Sequence, residues 1–270
     1  MSKQKTALVT GAASGIGLAI SQHLAKQGYK VWVSDINLES AQKVAKQISG
    51  QALALDVTQQ GQIDTAVATI AAADGYLDLL VNNAGIQHVA PLEDFPVDKW
   101  RLVNDVLLVG PAMLTRGFLP MMRTNNYGRI VNIGSIHALV ASPYKSAYVA
   151  AKHGLLGFSK TIALETAEQD ITINTICPAY VKTALVDKQI ADQAKRHDIS
   201  EAQVISDIML APMPKKSFIA VEEICAAVDY LISDLARNVT AQNMLIDGAW
   251  TARWGRPLLP PVGIRRRTTD

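Results

Sequence analysis

TALVTGAASGIG, residues 6–17, begins as a short apolar run and turns into a glycine-rich loop. A helical pattern follows at once, over residues 15–27. Where a strand enters a helix through glycines, the backbone can approach a pyrophosphate, and the helix N-terminus stabilises its negative charge. The spacing G-x-x-x-G-x-G therefore predicts a dinucleotide-binding turn whose contacts come from Gly11, Ser14, Gly15, Ile16 and Gly17.

The rest of the chain repeats this alternation of strand and helix. Six further β-branched runs follow, namely VWVSD, LALDV, LDLLVNN, GRIVNIGS, ITINTICP and NMLIDG. Helical patterns separate them over residues 38–48, 60–73, 99–124, 146–168 and 221–233. Apolar strands that alternate with helices are typical of a parallel sheet covered on both faces. We predict an α/β fold, a single-domain Rossmann-type doubly wound parallel sheet of about seven strands.

Two segments interrupt the rhythm. Residues 183–217 are helical in composition and carry mixed charge, and they predict a small helical lid. A rigid pair of surface helices is the alternative. Residues 251–270 hold three prolines and three consecutive arginines, RRR, without periodicity, and we expect an extended tail. The cofactor-binding and catalytic domain is thus expected over residues 1–250.

Composition narrows the class of protein. The chain has 270 residues, of which 49% are hydrophobic and 19% charged, so it can bury a large core. A net charge of +2 gives no reason to expect nucleic acid or a membrane surface as a partner. The longest apolar stretch, residues 102–122, is interrupted by polar residues and a proline, so no membrane span is expected. Cys177 and Cys225 predict buried thiols in a cytoplasmic protein, with no metal site.

Asp35 ends the second predicted strand, 18 residues after Gly17. A carboxylate there can accept hydrogen bonds from the adenosine ribose and repels a 2′-phosphate. No Lys or Arg lies between Gly11 and Gly17 to bind that phosphate. The sequence therefore predicts NAD as the cofactor. Asp35 could instead cap the following helix, although Asn37 can do so too.

Further polar residues follow the third and fourth predicted strands. Asp56 is expected to end the third strand, and Asn82-Asn83-Ala84-Gly85 the fourth. Each would be an ordinary turn if it stood alone. Ligands bind at the carboxyl edge of such sheets, so both groups are expected near the cofactor.

Tyr148 and Lys152 lie four residues apart in a helical pattern and share one face. A lysine ammonium near a phenol lowers the tyrosine pKa and makes the hydroxyl a usable acid and base. Ser135, at the end of the fifth predicted strand, could hydrogen-bond a carbonyl oxygen that Tyr148 protonates. A Tyr and Lys at this spacing occur on many helices by chance.

Over residues 5–250 the chain resembles the short-chain dehydrogenase/reductase family. The resemblance rests on T-G-x-x-x-G-I-G, N-N-A-G and Ser135/Tyr148/Lys152 taken together. The resemblance implies a nicotinamide cofactor and hydride transfer at a secondary alcohol carbon. It makes Tyr148 the general acid/base, with Ser135 polarising the carbonyl and Lys152 holding the nicotinamide ribose. It also implies a homotetramer with one interface along residues 99–124 and 146–168. The remaining expected cofactor contacts are Asp56, Val57, Asn83, Ala84, Gly85, Tyr148, Lys152, Pro178, Val181 and Thr183.

Four polar side chains are expected around the reacting site. His137 lies two residues beyond Ser135 and would face the same way in an extended segment. Lys145 lies one helical turn before Tyr148, and Gln87 and Gln189 complete the group. Taken alone, Lys145 would be an ordinary surface lysine and His137 a core histidine. One cation and three hydrogen-bonding groups together indicate an anionic substrate, a carboxylate.

Longer words strengthen the family resemblance. Four longer segments are similar to bacterial D-3-hydroxybutyrate dehydrogenases within that family. They are NNAGIQHVAPLEDFP, GSIHALVASPYKSAYVAAKHG, CPAYVKTALVDKQI and DGAWTA. The resemblance implies reversible oxidation of (R)-3-hydroxybutyrate to acetoacetate with NAD, and Gln87, His137, Lys145 and Gln189 match the carboxylate-binding positions. Two alternatives remain open. One is a related dehydrogenase acting on a longer 3-hydroxy acid or another secondary alcohol, and the other is an inactive NAD-binding scaffold.

The chain departs from that pattern at four positions. Tyr180 replaces the usual Trp, and Ala179 and Ala249 replace Gly. Leu107 replaces an Asn, and in the family the backbone carbonyl of that Asn holds a water that links Lys152 to solvent. The residue that would bond the Leu107 carbonyl in a helix is Pro111, which has no N–H. We therefore predict that Gly110-Pro111 opens the helix and frees this carbonyl, with Asn104 as a weaker substitute. A simple proline kink is the alternative.

Overall fold

A computed structural model describes residues 3–252, without the side chains at positions 184, 185, 196 and 197. Its centre is a parallel sheet of seven strands in the order β3-β2-β1-β4-β5-β6-β7. The strands are β1 Thr6–Thr10, β2 Lys30–Asp35, β3 Gln51–Ala54, β4 Leu79–Asn82, β5 Gly128–Ile133, β6 Ile171–Pro178 and β7 Asn243–Ile246. The predicted single-domain α/β fold with a parallel sheet is confirmed.

The strand order reverses at β1. Val9 pairs with Val33 of β2 on one side and with Val81 of β4 on the other. The chain therefore leaves β1 and β4 in opposite directions, and a crevice opens beyond their carboxyl ends. Ligands bind at such a switch point in open α/β sheets.

Helices cover both faces of the sheet. They are α1 Gly15–Lys26, α2 Leu38–Gln47, α3 Gln60–Asp74, α4 Val97–Asn104, α5 Gly110–Asn125, α6 Ser146–Glu165, α7 Ala184–His197, α8 Glu201–Gln203 and α9 Val221–Ile232. Helices α1, α2 and α9 bury Leu24, Val44 and Val228 in one core. Helices α3 to α6 bury residues such as Leu114 and Phe118 in the other. This two-faced burial is the reason that the central strands β1, β4, β5 and β6 are buried along their whole length.

The third strand differs from the prediction. It ends at Ala54, so Asp56 lies in the following turn and not at a strand end. Oδ1 of Asp56 accepts hydrogen bonds from the N–H and hydroxyl groups of Thr58, at 2.9 and 2.8 Å. An Asp side chain that bonds the backbone two residues later favours a turn over a strand.

Helices α4 and α5 form one helical stretch through a π-turn at Asp105–Val109. The Gly110 N–H bonds the Asp105 carbonyl, five residues earlier, so the α-helical pattern opens just before Pro111. Gly110 itself has helical angles, so the α-helical pattern opens at the π-turn before it. A Cβ there would lie 2.9 Å from the Val57 carbonyl oxygen, so close packing is the reason for glycine.

This stretch, Val97–Asn125, meets the length and mean hydropathy (1.3) of a membrane-crossing helix, although its polar residues led us to expect none. In the fold, however, its Leu114, Phe118 and Met122 are buried in the core against the sheet. Core helices of globular folds share this composition.

The interrupting segment, residues 183–217, folds as helices α7 and α8 followed by a π-turn at Val204–Met209. Thr183 caps α7 by accepting a hydrogen bond from the Val186 N–H. The segment has a small core of its own in Val186, Ile190, Val204 and Met209. It is therefore a folded helical insertion. The expected tail lies, from residue 253 onward, outside the described residues.

Candidate active site

A cavity of about 270 Å³ opens at the carboxyl edge of β4, β5 and β6. Thirteen of the predicted site residues line it, namely Ile16, Asn83, Gly85, Gln87, Ser135, His137, Lys145, Tyr148, Lys152, Pro178, Val181, Thr183 and Gln189. The other predicted residues, Gly11, Ser14, Gly15, Gly17, Asp35, Asp56, Val57 and Ala84, lie outside this cavity. Nine further residues line the cavity, namely Ile86, Leu107, Ile133, Gly134, Ile136, Ala179, Tyr180, Val186 and Trp250. Of these, Leu107, Ala179 and Tyr180 were noted from sequence as departures from the family pattern, and none was predicted as a binding residue.

The glycine loop is tightly packed against the N-N-A-G segment. Nδ2 of Asn83 donates to the carbonyl oxygens of Thr10 and Gly11, at 2.8 and 3.0 Å. A Cβ on Gly11 would lie 2.9 Å from the Cα of Ala84, and a Cβ on Gly17 would clash with the Asn83 amide. Asn83 therefore holds the loop in place, and side chains at these two glycines would push the loop away from the N-N-A-G segment.

The N-terminus of α1 is free to bind an anion. Ser14 is its N-cap residue, and within residues 3–252 the Ser14 side chain makes no capping hydrogen bond. The first turn also carries no acidic residue. Uncapped N–H groups and the positive end of the helix dipole favour a phosphate group at this place. The loop and helix therefore fit the pyrophosphate of a dinucleotide.

Asp35 ends β2 beside the glycine loop. Its Oδ2 accepts a hydrogen bond from the Ala13 N–H at 3.1 Å, and its Oδ1 one from the Asn37 N–H at 3.0 Å. Asn37, and not Asp35, caps α2 by accepting from the Ser40 N–H. The Asp35 carboxylate therefore holds the loop in place and puts a negative charge at this edge of the sheet.

Tyr148 lies half-buried in the first turn of α6, next to Ser135 at the end of β5. Burial raises the pKa of the Tyr148 phenol, and the neighbouring Ser135 hydroxyl opposes that rise. Nζ of Lys152 lies 5.8 Å from the centre of the Tyr148 ring and donates to the Ile133 carbonyl at 2.6 Å. The spacing of these residues in sequence thus brings a hydroxyl pair and a buried cation to one place.

The pKa shift of Tyr148 differs from the prediction. We expected the Lys152 ammonium to lower it, but burial outweighs any such effect and the net direction is upward. Lys152 is itself only 5% exposed, and burial lowers its pKa to about 8. A buried amine and a buried phenol both favour their neutral forms, which explains both directions.

His137 and Lys145 form a second pair at the cavity. Nε2 of His137 lies 3.5 Å from Nζ of Lys145. Burial, and then the charge of Lys145, lowers the pKa of His137 to about 4. Burial lowers the pKa of Lys145 as well. At neutral pH the pair is therefore an uncharged imidazole beside an ammonium group.

The backbone around His137 is not extended as predicted. Ile136–Ala138 form a 3₁₀ turn, and the Ser135 hydroxyl oxygen accepts a hydrogen bond from the His137 N–H at 3.1 Å. Such a hydrogen bond from the backbone to a serine side chain stabilises the turn over the extended conformation. His137 and Ser135 nevertheless line the same cavity.

Two glutamines and the chain after β6 close the cavity. Gln87 lies in the loop after β4, and Gln189 lies on α7 of the insertion. Val181 makes a parallel bridge to Ile219, which fixes the chain between Pro178 and Thr183. The four residues expected to bind a carboxylate therefore line the same cavity as Ser135 and Tyr148.

Trp250 is the principal lining residue that the sequence reasoning missed. Its ring centre lies 6.2 Å from that of His137, edge to face, and 6.0 Å from that of Tyr180. The signal available was its position, since an aromatic residue four places after the last strand falls at the ligand-binding edge of the sheet.

Comparison with known proteins agrees with this geometry. Residues 5–194 match the family model of the short chain dehydrogenases. The chain belongs to the short-chain dehydrogenase family. Members of this family are oxidoreductases that use a nicotinamide cofactor, NAD or NADP. The glycine loop and the Ser135, Tyr148 and Lys152 cluster of this short-chain dehydrogenase fit such chemistry.

Two bacterial relatives are named D-beta-hydroxybutyrate dehydrogenase. The protein of Rhizobium meliloti (strain 1021) is 46% identical over 92% of this short-chain dehydrogenase and 99% of the relative. That of Cupriavidus necator is 41% identical over 92% and 98%, respectively. Among solved structures, a chain described as ribose-5-phosphate isomerase from Brucella melitensis 16M is similar, with a TM-score of 0.83 and 28% identity over 92% of this chain and 93% of that one.

Proposed function

We propose that the protein catalyses the reversible oxidation of (R)-3-hydroxybutyrate to acetoacetate with NAD. The observation that carries the proposal is the Lys145–His137 pair, which lines the same cavity as Ser135 and Tyr148. A cation beside a reacting hydroxyl pair fits a substrate whose carboxylate lies close to its secondary alcohol. The two relatives named D-beta-hydroxybutyrate dehydrogenase support this choice.

NAD is proposed as the cofactor because of Asp35. Its carboxylate stands at the end of β2, and the loop from Gly11 to Gly17 holds no basic residue that would bind a 2′-phosphate. The glycine loop and the N-terminus of α1 would hold the pyrophosphate, and Pro178 and Thr183 would border the nicotinamide end. When bound, NAD would accept the hydride from the alcohol carbon.

Tyr148 is the proposed acid and base. In the oxidation the deprotonated Tyr148 oxygen takes the proton of the substrate alcohol, and in the reduction the Tyr148 hydroxyl returns that proton. Ser135, which lines the cavity together with Tyr148, would hold the same substrate oxygen. Since burial keeps the phenol protonated, reduction finds Tyr148 ready to donate, whereas oxidation first needs the loss of its proton. The buried Lys152 ammonium favours that loss.

Lys145 is the proposed main contact of the substrate carboxylate. Burial makes its charge costly, and a bound carboxylate would offset that cost. Neutral His137, Gln87 and Gln189 would add hydrogen bonds around the same group. Tyr180 and Trp250 form an aromatic wall beside His137, which suits the short alkyl end of the substrate.

A homotetramer is proposed with α5 and α6 at one interface. The two helices border a surface groove of about 370 Å³ whose apolar lining includes Met113, Leu119, Phe158 and Ile162. A second copy of the chain would cover these side chains. Light scattering of the purified protein measures the number of copies directly.

The function is tested by initial rates of NADH formation with (R)- and (S)-3-hydroxybutyrate. We expect turnover of the (R) enantiomer with NAD as the preferred cofactor. Tyr148→Phe serves as the control and should lose about 10²–10⁴-fold in kcat while still binding NAD. A wild-type enzyme that prefers the (S) enantiomer, or that does not oxidise either one, would refute the assignment.

A further inference from the structure

The turn that follows β7 is built on one carboxylate. Asp247 is 9% exposed. Its Oδ1 accepts a hydrogen bond from the Ala249 N–H at 2.9 Å. Its Oδ2 accepts from the N–H and the hydroxyl of Thr251, at 2.8 and 2.6 Å. One side chain thus satisfies three donors within four residues, and the turn is fixed by it.

The backbone of this turn needs such a support. Gly248 and Ala249 both lie in the left-handed region, with φ of +57° and +68°. Glycine adopts this region freely, but alanine does so at a cost. Strained residues persist where their surroundings determine the conformation. The hydrogen bond from the Ala249 N–H to Asp247 is that determinant here.

The turn carries Trp250 into the cavity. The Trp250 ring faces His137 and Tyr180, and all three line the cavity of the proposed active site. Asp247 does not line it. Because Trp250 directly follows the two left-handed residues, a change in their angles would swing its side chain away from His137.

The same turn also contacts one end of the helical insertion. The Lys215 N–H, near the end of the insertion, donates to the Gly248 carbonyl at 3.2 Å. The insertion carries Gln189, so the turn supports both Trp250 and the end of the segment that closes the cavity.

We propose that Asp247 is a positioning residue of the substrate site, acting through Trp250 and the end of the insertion at Lys215. It does not touch the substrate. Its removal loosens the aromatic wall and the end of the insertion at Lys215, and leaves unchanged the glycine loop, which follows β1 four strands away from β7. The inference rests on the proposed function only for the choice of substrate.

The kinetic test compares Asp247→Ala with the exposed-carboxylate control Asp64→Ala. We expect Asp247→Ala to raise KM for (R)-3-hydroxybutyrate by about 10- to 100-fold. The Kd of NAD should change by less than about twofold, since a turn remote from the glycine loop is altered. Asp247→Asn keeps one acceptor oxygen and should restore part of the affinity. Thr251→Val removes one hydrogen bond and should give a smaller change in the same direction.

The spectroscopic test follows Trp250 without any substrate. The emission of Trp250 is obtained by subtracting the spectrum of the matching Trp250→Phe protein. In Asp247→Ala this emission should shift to the red because the ring leaves its contacts with His137 and Tyr180. This emission measurement tests the proposal even if the enzyme does not oxidise 3-hydroxybutyrate. If Asp247→Ala fails to fold, the same measurement is made on Thr251→Val.

Two results would overturn the proposal. One is an unshifted Trp250 emission in the Asp247 and Thr251 variants. The other is a loss of NAD affinity in proportion to the rise in KM and to the fall in Tm, because a merely structural residue would weaken both sites together.

Discussion

Nζ of Lys145 lies 3.5 Å from Nε2 of His137, and both groups are largely removed from solvent. Two cations at this separation in a buried place would repel each other strongly. The pKa of His137 accordingly falls to about 4, first through burial and then through the charge of Lys145. Lys145 is thus the single charge of the pair over the physiological range, and His137 is a neutral partner.

The lowered pKa of His137 makes stability depend on pH in a defined window. In the unfolded chain His137 gains a proton below its ordinary pKa of 6.5, whereas the folded protein resists protonation down to about 4. The unfolded state therefore binds more protons between these values, and the free energy of unfolding falls as pH drops through this window. His137→Gln should lessen the loss of stability between pH 7 and pH 5.

Urea unfolding at these two pH values measures this effect, with the exposed His153→Gln as the matched control. The pH-dependent loss should remain complete in His153→Gln and diminish in His137→Gln. An equal loss in both variants and in the wild type would show that His137 does not resist protonation.

Asp35 is predicted to set cofactor choice. Asp35→Ala removes the negative charge together with the hydrogen bond to the Ala13 N–H, so kcat/KM with NAD should fall by about 10- to 100-fold. The preference for NAD over NADP should narrow at the same time. Asp35→Asn keeps an acceptor for Ala13 and separates the two effects. Rates with both cofactors provide the measurement, and equal or better use of NADP by the wild type would contradict the role of Asp35.

Pro111 is predicted to keep the Leu107 carbonyl free. The π-turn ends directly before Gly110-Pro111, and Pro111 cannot donate to the carbonyl four residues earlier. Pro111→Ala restores a donor at that position and closes the α-helical pattern. If the Leu107 carbonyl serves the proton path from Lys152, kcat should fall within the range of acid–base effects, about 10²–10⁴-fold.

NAD affinity should be almost unchanged in Pro111→Ala, because the substitution leaves the glycine loop intact. The measurement is kcat across pH 6–9, with circular dichroism as the check on folding. Wild-type kcat throughout, in a correctly folded variant, would mean that the proline only shapes the helix.

The fold was predictable because its signals are local and repeated. Seven apolar runs, each followed by a helical pattern, admit few arrangements other than a covered parallel sheet. The errors arose where a side chain competes with the backbone pattern. Asp56 bonds Thr58 and so ends β3 early, and Ser135 caps the turn that contains His137. Periodicity does not register such side-chain hydrogen bonds.

The site was predictable where residues follow strand ends, and less so elsewhere. Ser135 and Asn83 follow β5 and β4, and topology alone brings them together. Trp250 was missed because its place depends on the turn held by Asp247. The pKa of Tyr148 was predicted in the wrong direction because the spacing to Lys152 says nothing about how deeply the phenol is buried.

The most direct test of the carboxylate-binding site compares (R)-3-hydroxybutyrate with its methyl ester. In the wild type the ester lacks the charge that Lys145 attracts, and loss of one charge-assisted hydrogen bond costs roughly 1.5–3 kcal/mol, or about 10- to 100-fold in kcat/KM. In Lys145→Met the acid should lose this advantage, while the exposed-lysine control Lys46→Met should keep it. We predict that kcat/KM for the acid exceeds that for the ester by this factor in the wild type and in Lys46→Met, and that the two values become similar only in Lys145→Met. A wild-type enzyme that oxidises the ester as well as the acid would contradict it.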